Sequence, residues 1–151
     1  MVWYRCQLLL YSQPVVYSHS SYIDDYLEKY RSEYFLIDQL YRLSIENYYK
    51  ISPSISLYET VQKVKLALDS YYAKLCNRIN LEWMRCVKEA GGLTSVHALR
   101  QQNFYESQIR PIQKKVVVII SDALRYEVAQ ELIGVLAKRK HIAHLNLGIA
   151  M

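Results

Sequence analysis

Hydrophobic residues in the first half of the chain recur every three or four positions, which is the period of an amphipathic helix. The first stripe begins after Ser21 and predicts a helix that ends near Lys50, because Pro53 disfavours a helical conformation just before it. Its apolar positions are Ile23, Leu27, Tyr30, Tyr34, Ile37, Tyr41, Ile45 and Tyr48. The stripe is nearly heptad-like, so we expect its tyrosines to be mostly buried against another helix.

A second helix is predicted from the form S-x-x-E at Ser56 to Glu59, which is the pattern of a capping box. The apolar repeat that follows comprises Val61, Val64, Leu68, Tyr71, Leu75, Ile79 and Trp83. Gly91-Gly92 predicts its end, since glycine adopts the left-handed conformation without strain. Two long helices with a short connection predict an antiparallel hairpin. A third, shorter helix is predicted over 95–110, closed by Pro111.

The pattern changes from Lys114 onwards. The run VVVII at 116–120 is β-branched and has no polar alternation, which is typical of a strand covered on both faces. A helical pattern over 123–138 and a weak alternation over 141–149 follow, and together they predict a βαβ unit. The predicted fold is therefore mainly α, with a helical domain over 1–112 and an incomplete α/β start over 113–151.

The composition narrows the class of protein. The chain has 151 residues, of which 52% are hydrophobic and 22% charged, as in globular proteins. The net charge of +5 permits an acidic partner, but the basic residues are scattered, so nucleic-acid binding stays possible without being favoured. The 15 tyrosines suit helix packing better than base stacking. Three cysteines without a C-x-x-C pair indicate reduced thiols in a cytoplasmic protein, and no apolar run is long enough to span a membrane.

Asp122 is the candidate for chemistry, because it directly follows the predicted buried strand. Ligands of parallel α/β sheets bind beyond the carboxyl ends of the strands. Two interpretations are open: Asp122 caps the following helix, or it binds a metal together with ligands from elsewhere. The chain has no glycine-rich phosphate loop, no G-x-S-x-G motif and no second acid at position 124. His141 and His144 would point to opposite faces of a strand, so they are poor candidates for a metal pair.

The string VVVIISDALRYEVAQEL at 116–132 resembles the opening of the PglZ family of the alkaline phosphatase superfamily, whose members belong to BREX-type phage-defence systems. Upstream, YYAKLCNRINLEW and QNFYESQIRPI resemble the helical region of type A members of that family. The resemblance implies a metal-dependent phosphatase or phosphodiesterase in which Asp122 binds a divalent, zinc-like metal. It assigns no chemistry to Ser121 or Glu127, and for Arg125 it leaves open a phosphate contact or a structural ion pair.

In such enzymes a Ser or Thr nucleophile and further Asp and His ligands come from later in the chain. We therefore expect this chain to be a fragment that has no activity and binds no metal by itself. The alternative is a helical interaction module of a defence complex, whose partners would be the other subunits. An apolar strand with free edges invites pairing, so residues 115–148 are expected either to associate with a second copy or to fold against the helical domain, and association is favoured.

Overall fold

The structure, a computed structural model, describes residues 22–122, 124–146 and 148–149. Cys6, His19 and the apolar start of the chain lie outside the described residues. The chain divides into two compact units between Ser95 and Val96. The predicted division of domains at 112/113 stays a prediction. The expectation of a mainly α chain is confirmed.

The described part of the first unit, residues 22–95, is a helical hairpin followed by a short turn. Its elements are α1 (Ile23–Lys29), a π-helical turn (Tyr30–Tyr34), α2 (Phe35–Tyr49), α3 (Tyr58–Glu89) and a 3-10 turn (Leu93–Ser95). α1, the π-helical turn and α2 follow one another without a break, so they form one long helix with a wider turn inside it. No helix in the described ranges is long and apolar enough to cross a membrane.

Contacts along the hairpin establish that its two arms are antiparallel. Near the connecting loop, the hydroxyl groups of Tyr48 and Tyr58 lie 3.3 Å apart. At the opposite end, the Tyr26 hydroxyl donates a hydrogen bond of 2.6 Å to the backbone carbonyl of Ile79. Residues close to the loop thus face one another, and residues far from it do likewise. The predicted hairpin is confirmed.

The apolar core of the hairpin is offset from the stripe that the sequence predicts in its first arm. Its buried residues are Ile23, Tyr26, Tyr34, Ile37, Leu40, Ser44, Leu68, Leu75 and Cys86. Leu40 and Ser44 are buried where Tyr41 and Ile45 were expected, while Tyr41 is only half-buried. The buried Ser44 hydroxyl donates to the backbone carbonyl of Leu40 at 2.7 Å, which satisfies its polar atom.

Tyrosine hydroxyls and two carboxylates connect the arms at the edge of this core. Asp38 accepts hydrogen bonds from Tyr30 at 2.9 Å and from Tyr72 at 2.7 Å, one on each carboxylate oxygen. Asp69 accepts from Tyr41 at 3.1 Å and from Lys65 at 2.6 Å. The rings of Tyr41 and Tyr72 stack with centroids 3.8 Å apart, so they join the two carboxylates into one network.

The ends of α3 test two predictions about helix termini. The prediction of a capping box at Ser56 to Glu59 is wrong, because the N-cap of α3 is Leu57 and no side chain caps the helix. Consecutive turns lead into the helix instead, with the amide of Tyr58 bonded to the carbonyl of Ile55. The glycine stop is confirmed, because Gly91 and Gly92 have φ of 76° and 120°. The Gly92 amide donates to Val87, which closes a Schellman motif.

The second unit contains little regular structure. Its elements are β1 (Leu99–Arg100), a 3-10 turn (Gln101–Asn103), a π-helical turn (Tyr105–Ile109), α4 (Tyr126–Lys138) and β2 (Gly148–Ile149). In place of the predicted helix over 95–110, the chain has a 3-10 turn and a π-helical turn within 101–109. β1 and β2 pair in parallel, with Leu99 opposite Gly148. A Cβ at Gly148 would lie 3.1 Å from the Leu99 carbonyl oxygen, so the close approach favours glycine.

The structure differs from the predicted βαβ unit. Residues 116–120 form neither helix nor strand, and the predicted second strand is reduced to Gly148–Ile149, which pairs with β1 instead. A strand requires a neighbour whose backbone groups match its own, and no other described segment lies in register beside 116–120. α4 begins three residues later than predicted and ends as predicted at Lys138, where Lys140 adopts a left-handed φ of 61°.

Burial in the hairpin core predicts a difference between two neighbouring leucines of α3. Leu68 is 1% exposed and Leu66 is 65% exposed. We expect Leu68→Ala to lower the free energy of unfolding by about 2–5 kcal/mol, because it removes buried methyl groups and leaves a cavity. Leu66→Ala is the matched control and is expected to change it by less than about 0.5 kcal/mol. Urea unfolding followed by circular dichroism measures both, and equal losses would contradict the assigned core.

The tyrosine network predicts alkaline sensitivity. Burial, and then the hydrogen bond to Asp38, raises the pKa of Tyr72 well above its ordinary value of 10.0. The phenol therefore ionises first in the unfolded chain, so its contribution to stability is present below about pH 10 and is lost as the pH rises further. We expect Tyr72→Phe to flatten the decline of the unfolding free energy above about pH 10. Tyr22→Phe, at a tyrosine that is 71% exposed, should leave the slope unchanged.

Candidate functional site

The candidate ligand Asp122 lies in a turn and is exposed to solvent. The interpretation of Asp122 as the helix cap is wrong, because α4 begins at Tyr126 and its N-cap is Arg125. No side chain caps the helix there. The carboxylate of Asp122 is therefore not engaged at the helix terminus. Ser121, the residue before it, is exposed as well.

Arg125 and Glu127 form an ion pair at the start of α4, with 3.3 Å between the guanidinium and the carboxylate. The side chain of Glu127 is fully buried, whereas that of Arg125 is 57% exposed. A carboxylate in the first turn also interacts favourably with the helix dipole. Of the two roles left open for Arg125, the structure displays the structural ion pair. Glu127 is thus part of the framework that holds the first turn of α4.

An open cavity of about 1010 Å³ lies beside residues 118–120 in the second unit. One part of its wall is the apolar segment Val118, Ile119 and Ile120, two residues before Asp122. The rest is formed by Leu99, Arg100, Gln101, Phe104, Tyr105, Ser107, Gln108, Ile109, His144, Leu145, Asn146 and Gly148. The sequence did not predict this cavity, because its walls come from segments up to about fifty positions apart. The adjacent aromatic residues Phe104 and Tyr105, which the structure leaves exposed in a mostly polar stretch, are a sequence signal for this wall.

The described residues do not by themselves make a metal site. No group of three or more His, Cys, Asp or Glu side chains within them is placed to hold an ion. A zinc site in a protein takes three or four side-chain ligands, and Asp122 offers one carboxylate. Any metal centre that includes Asp122 would therefore need ligands from other residues.

The two cysteines among the described residues are free thiols. Cys86 is buried and Cys76 is half-buried, both on α3. Burial raises the pKa of each thiol above its ordinary value. A raised pKa keeps the thiol protonated at neutral pH, which makes it a weak nucleophile. Both cysteines are therefore packing residues of the hairpin.

Comparison with curated proteins finds a similarity between this chain and an alkaline phosphatase-like protein. It is "Alkaline phosphatase-like protein PglZ" of Bacillus cereus (strain H3081.97), which is 30% identical to this chain over 123 residues. The alignment covers 74% of this chain and 13% of that protein, so the chain spans only a small part of the length of its relative. No protein family and no solved structure matches the chain.

The ion pair at the start of α4 generates a prediction with a matched control. Arg125→Gln removes one ionic contact from the fully buried carboxylate of Glu127, so we expect α4 to lose about 1–3 kcal/mol of stability. Arg110→Gln makes the same change in an exposed pair with Glu106, and it should cost less than about 1 kcal/mol. Hydrogen exchange measures the first cost at the α4 amides and the second at the amides of the π-helical turn Tyr105–Ile109. Equal protection of α4 in the two variants would contradict a supporting role for the buried pair.

Proposed function

We propose that this chain contributes the helical hairpin and the first elements of a PglZ-type phosphohydrolase. The observation that carries the proposal is the similarity to an alkaline phosphatase-like PglZ protein along most of this chain. The string at 116–132 supports it, because it has the form expected of the start of such a domain. The remaining elements of that domain would come from a longer protein.

In that protein Asp122 would be one ligand of a divalent, zinc-like metal. Its carboxylate is exposed and lies outside the ion pair at the start of α4, so it is accessible to an ion held by further ligands. A divalent cation supplies positive charge where negative charge develops on phosphoryl oxygens. The nucleophile and the other ligands are expected from residues beyond those described here.

The same proposal gives a place to the apolar segment 116–120. Its side chains are exposed in this structure although its sequence is that of a strand covered on both faces. In the longer protein it would be the first strand of a parallel sheet, and Asp122 would then lie at the carboxyl end of that strand. This is the edge of a sheet at which ligands bind.

The biological setting that we propose is bacterial phage defence in the cytoplasm, with other subunits of a defence complex as partners. The alternative function is an interaction module without catalysis. The observation that favours it is a set of exposed apolar residues on or next to α3: Leu57, Leu66, Leu81 and Met84, each more than 60% exposed. Such residues are available to a partner without any change in the hairpin core.

Activity assays on the full-length protein that contains this sequence test the enzyme proposal. We expect it to hydrolyse a phosphomonoester or phosphodiester in the presence of divalent metal, while the 151-residue chain shows no turnover. Asp122→Asn should lower kcat/KM by roughly 100-fold or more, since loss of a direct ligand should exceed the effect of losing an outer partner. Turnover of nitrophenyl phosphate and of bis-nitrophenyl phosphate distinguishes the two ester classes.

Asp25→Asn is the matched control, because it makes the same change at an exposed position of α1 in the hairpin. Its activity should equal that of the unaltered protein. Undiminished turnover in Asp122→Asn would remove Asp122 from the site. Absence of turnover with every metal and both esters would favour the interaction module.

A further inference from the structure

The outer face of α3 carries a stripe of positive charge. Lys63, Lys74, Arg78 and Lys88 are all exposed to solvent. At about 100° per residue, they fall within an arc of about 80° around the helix axis. The centre of this arc lies about 120° from the centre of the residues that α3 buries in the hairpin core. These four cations, the basic stripe, therefore point away from the hairpin core.

The charges of the basic stripe are not neutralised within the described part of the chain. There, no ion pair or hydrogen bond joins any of the four cations to another residue. Arg85 lies on the same face but is held by Glu82 and Glu89, so it adds no free charge. Glu59 lies one turn before Lys63 on the same side and offsets part of its charge. The attraction for an anion therefore comes mainly from the other three cations of the stripe.

The length and rigidity of α3 give the basic stripe its form. Its cations are separated by 11, 4 and 10 positions, so they do not form a charge run in the sequence. Each of these intervals is close to one or three whole turns of helix, and α3 continues without a break for 32 residues. Cations that are scattered along the chain are thus brought into one straight row about 38 Å long, at a rise of about 1.5 Å per residue.

We propose that the basic stripe binds the phosphate backbone of double-stranded nucleic acid. A rod of about 38 Å matches about one turn of a B-form duplex, which is about 34 Å long. Both phosphate strands cross such a rod within one turn, and the duplex offers one charge per about 1.7 Å of its axis, so widely spaced cations each find a phosphate. Three of the four cations are lysines, which bind phosphate as flexible point charges.

The side chains around the basic stripe favour a duplex over a single strand. Proteins that hold single strands stack the bases on exposed aromatic rings. The aromatic residues of α3 are Tyr58, Tyr71, Tyr72 and Trp83, and none of them is exposed. The exposed residues between the cations are mostly small or polar instead. Such a face contacts phosphates and does not read or stack bases.

An anionic membrane and an acidic protein fit the basic stripe less well. A helix that lies on a membrane buries a continuous apolar face among the lipids, whereas α3 uses its apolar face for the hairpin core. Leu66, Leu81 and Met84 are exposed on or beside the stripe, but three side chains do not form a continuous face along it. An acidic protein would need carboxylates that match three unequal spacings, while phosphates recur along the whole duplex.

Fluorescence anisotropy of a labelled DNA duplex of about two turns, in EDTA and over a series of KCl concentrations, tests the proposal. We expect the full-length protein that contains this sequence and the 151-residue chain both to bind. For the 151-residue chain, the slope of log K against log salt should be about −3 to −4, at about −0.9 per phosphate contact. Lys74→Gln/Arg78→Gln removes two contacts, so in both proteins the slope should become shallower by about 2 and Kd at low salt should rise by about 10-fold or more.

Two matched variants separate the basic stripe from net charge. Lys138→Gln/Arg139→Gln removes the same two charges at the exposed end of α4, and its Kd should change by no more than about 2-fold, because charges beyond a Debye length are screened. Lys74→Arg/Arg78→Lys keeps the charge of the stripe and should keep both slope and Kd. Circular dichroism should give the same helix content for every variant, because all altered residues are exposed.

Several results would overturn the proposal. The first is no binding of the duplex at low salt, and the second is equal weakening by the two glutamine double variants. A third is an effect of Lys74→Gln/Arg78→Gln in the 151-residue chain alone, which would mean that the rest of the full-length protein covers the stripe. Tighter binding of phosphatidylserine vesicles, polyglutamate or a single strand of equal charge would assign the stripe to another partner.

This test is independent of the proposed phosphohydrolase. EDTA removes divalent metal, and the measurement is of binding, so phosphoester turnover does not enter it. A protein that does not bind the duplex would leave the proposed enzyme untouched, and an inactive full-length protein would leave the basic stripe untouched.

Discussion

Two helices rich in tyrosine can pack closely only if each phenolic hydroxyl finds an acceptor within the seam. In the hairpin Asp38 accepts hydrogen bonds from two hydroxyls, Asp69 accepts from one, and the carbonyl of Ile79 accepts from that of Tyr26. The hydroxyls of Tyr48 and Tyr58 pair with each other. The tyrosines that reach across fix the rotation of one helix against the other, because the hydroxyl lies at the end of a rigid ring. The apolar core between them then has one well-defined set of facing residues.

The sequence predicted the hairpin because helix periodicity and glycine stops are local signals. It did not predict the exact core. Leu40 and Ser44 replace Tyr41 and Ile45 inside, since a tyrosine that must keep its hydroxyl near Asp69 remains at the edge of the seam. The predicted capping box does not form, because the turns that follow Pro53 start α3 one residue later than the motif requires.

In the second unit, local sequence patterns predicted the strands poorly. The run at 116–120 has the composition of a strand, but a strand depends on neighbours that a local pattern does not specify. The pair that does form, Leu99 with Gly148, joins residues 49 positions apart and covers two residues on each side, too few to leave a periodic signal. The ion pair of Arg125 was anticipated as one of two roles, and its partner Glu127 is visible only in the fold.

The π-helical turn at Tyr30–Tyr34 makes the hairpin sensitive to single-residue deletions. It holds one residue more than an α-helical turn would, and the steps from Tyr26 to Tyr30 to Tyr34 are four residues each. Deleting one residue there would convert it to ordinary helix and rotate α1 by about 100° relative to α2. Tyr26 would then turn away from Trp83, whose ring now lies 5.6 Å from its own. Single-residue deletions should therefore be tolerated far less in this turn than in the loop between Lys50 and Tyr58, where residues 52–57 are exposed to solvent.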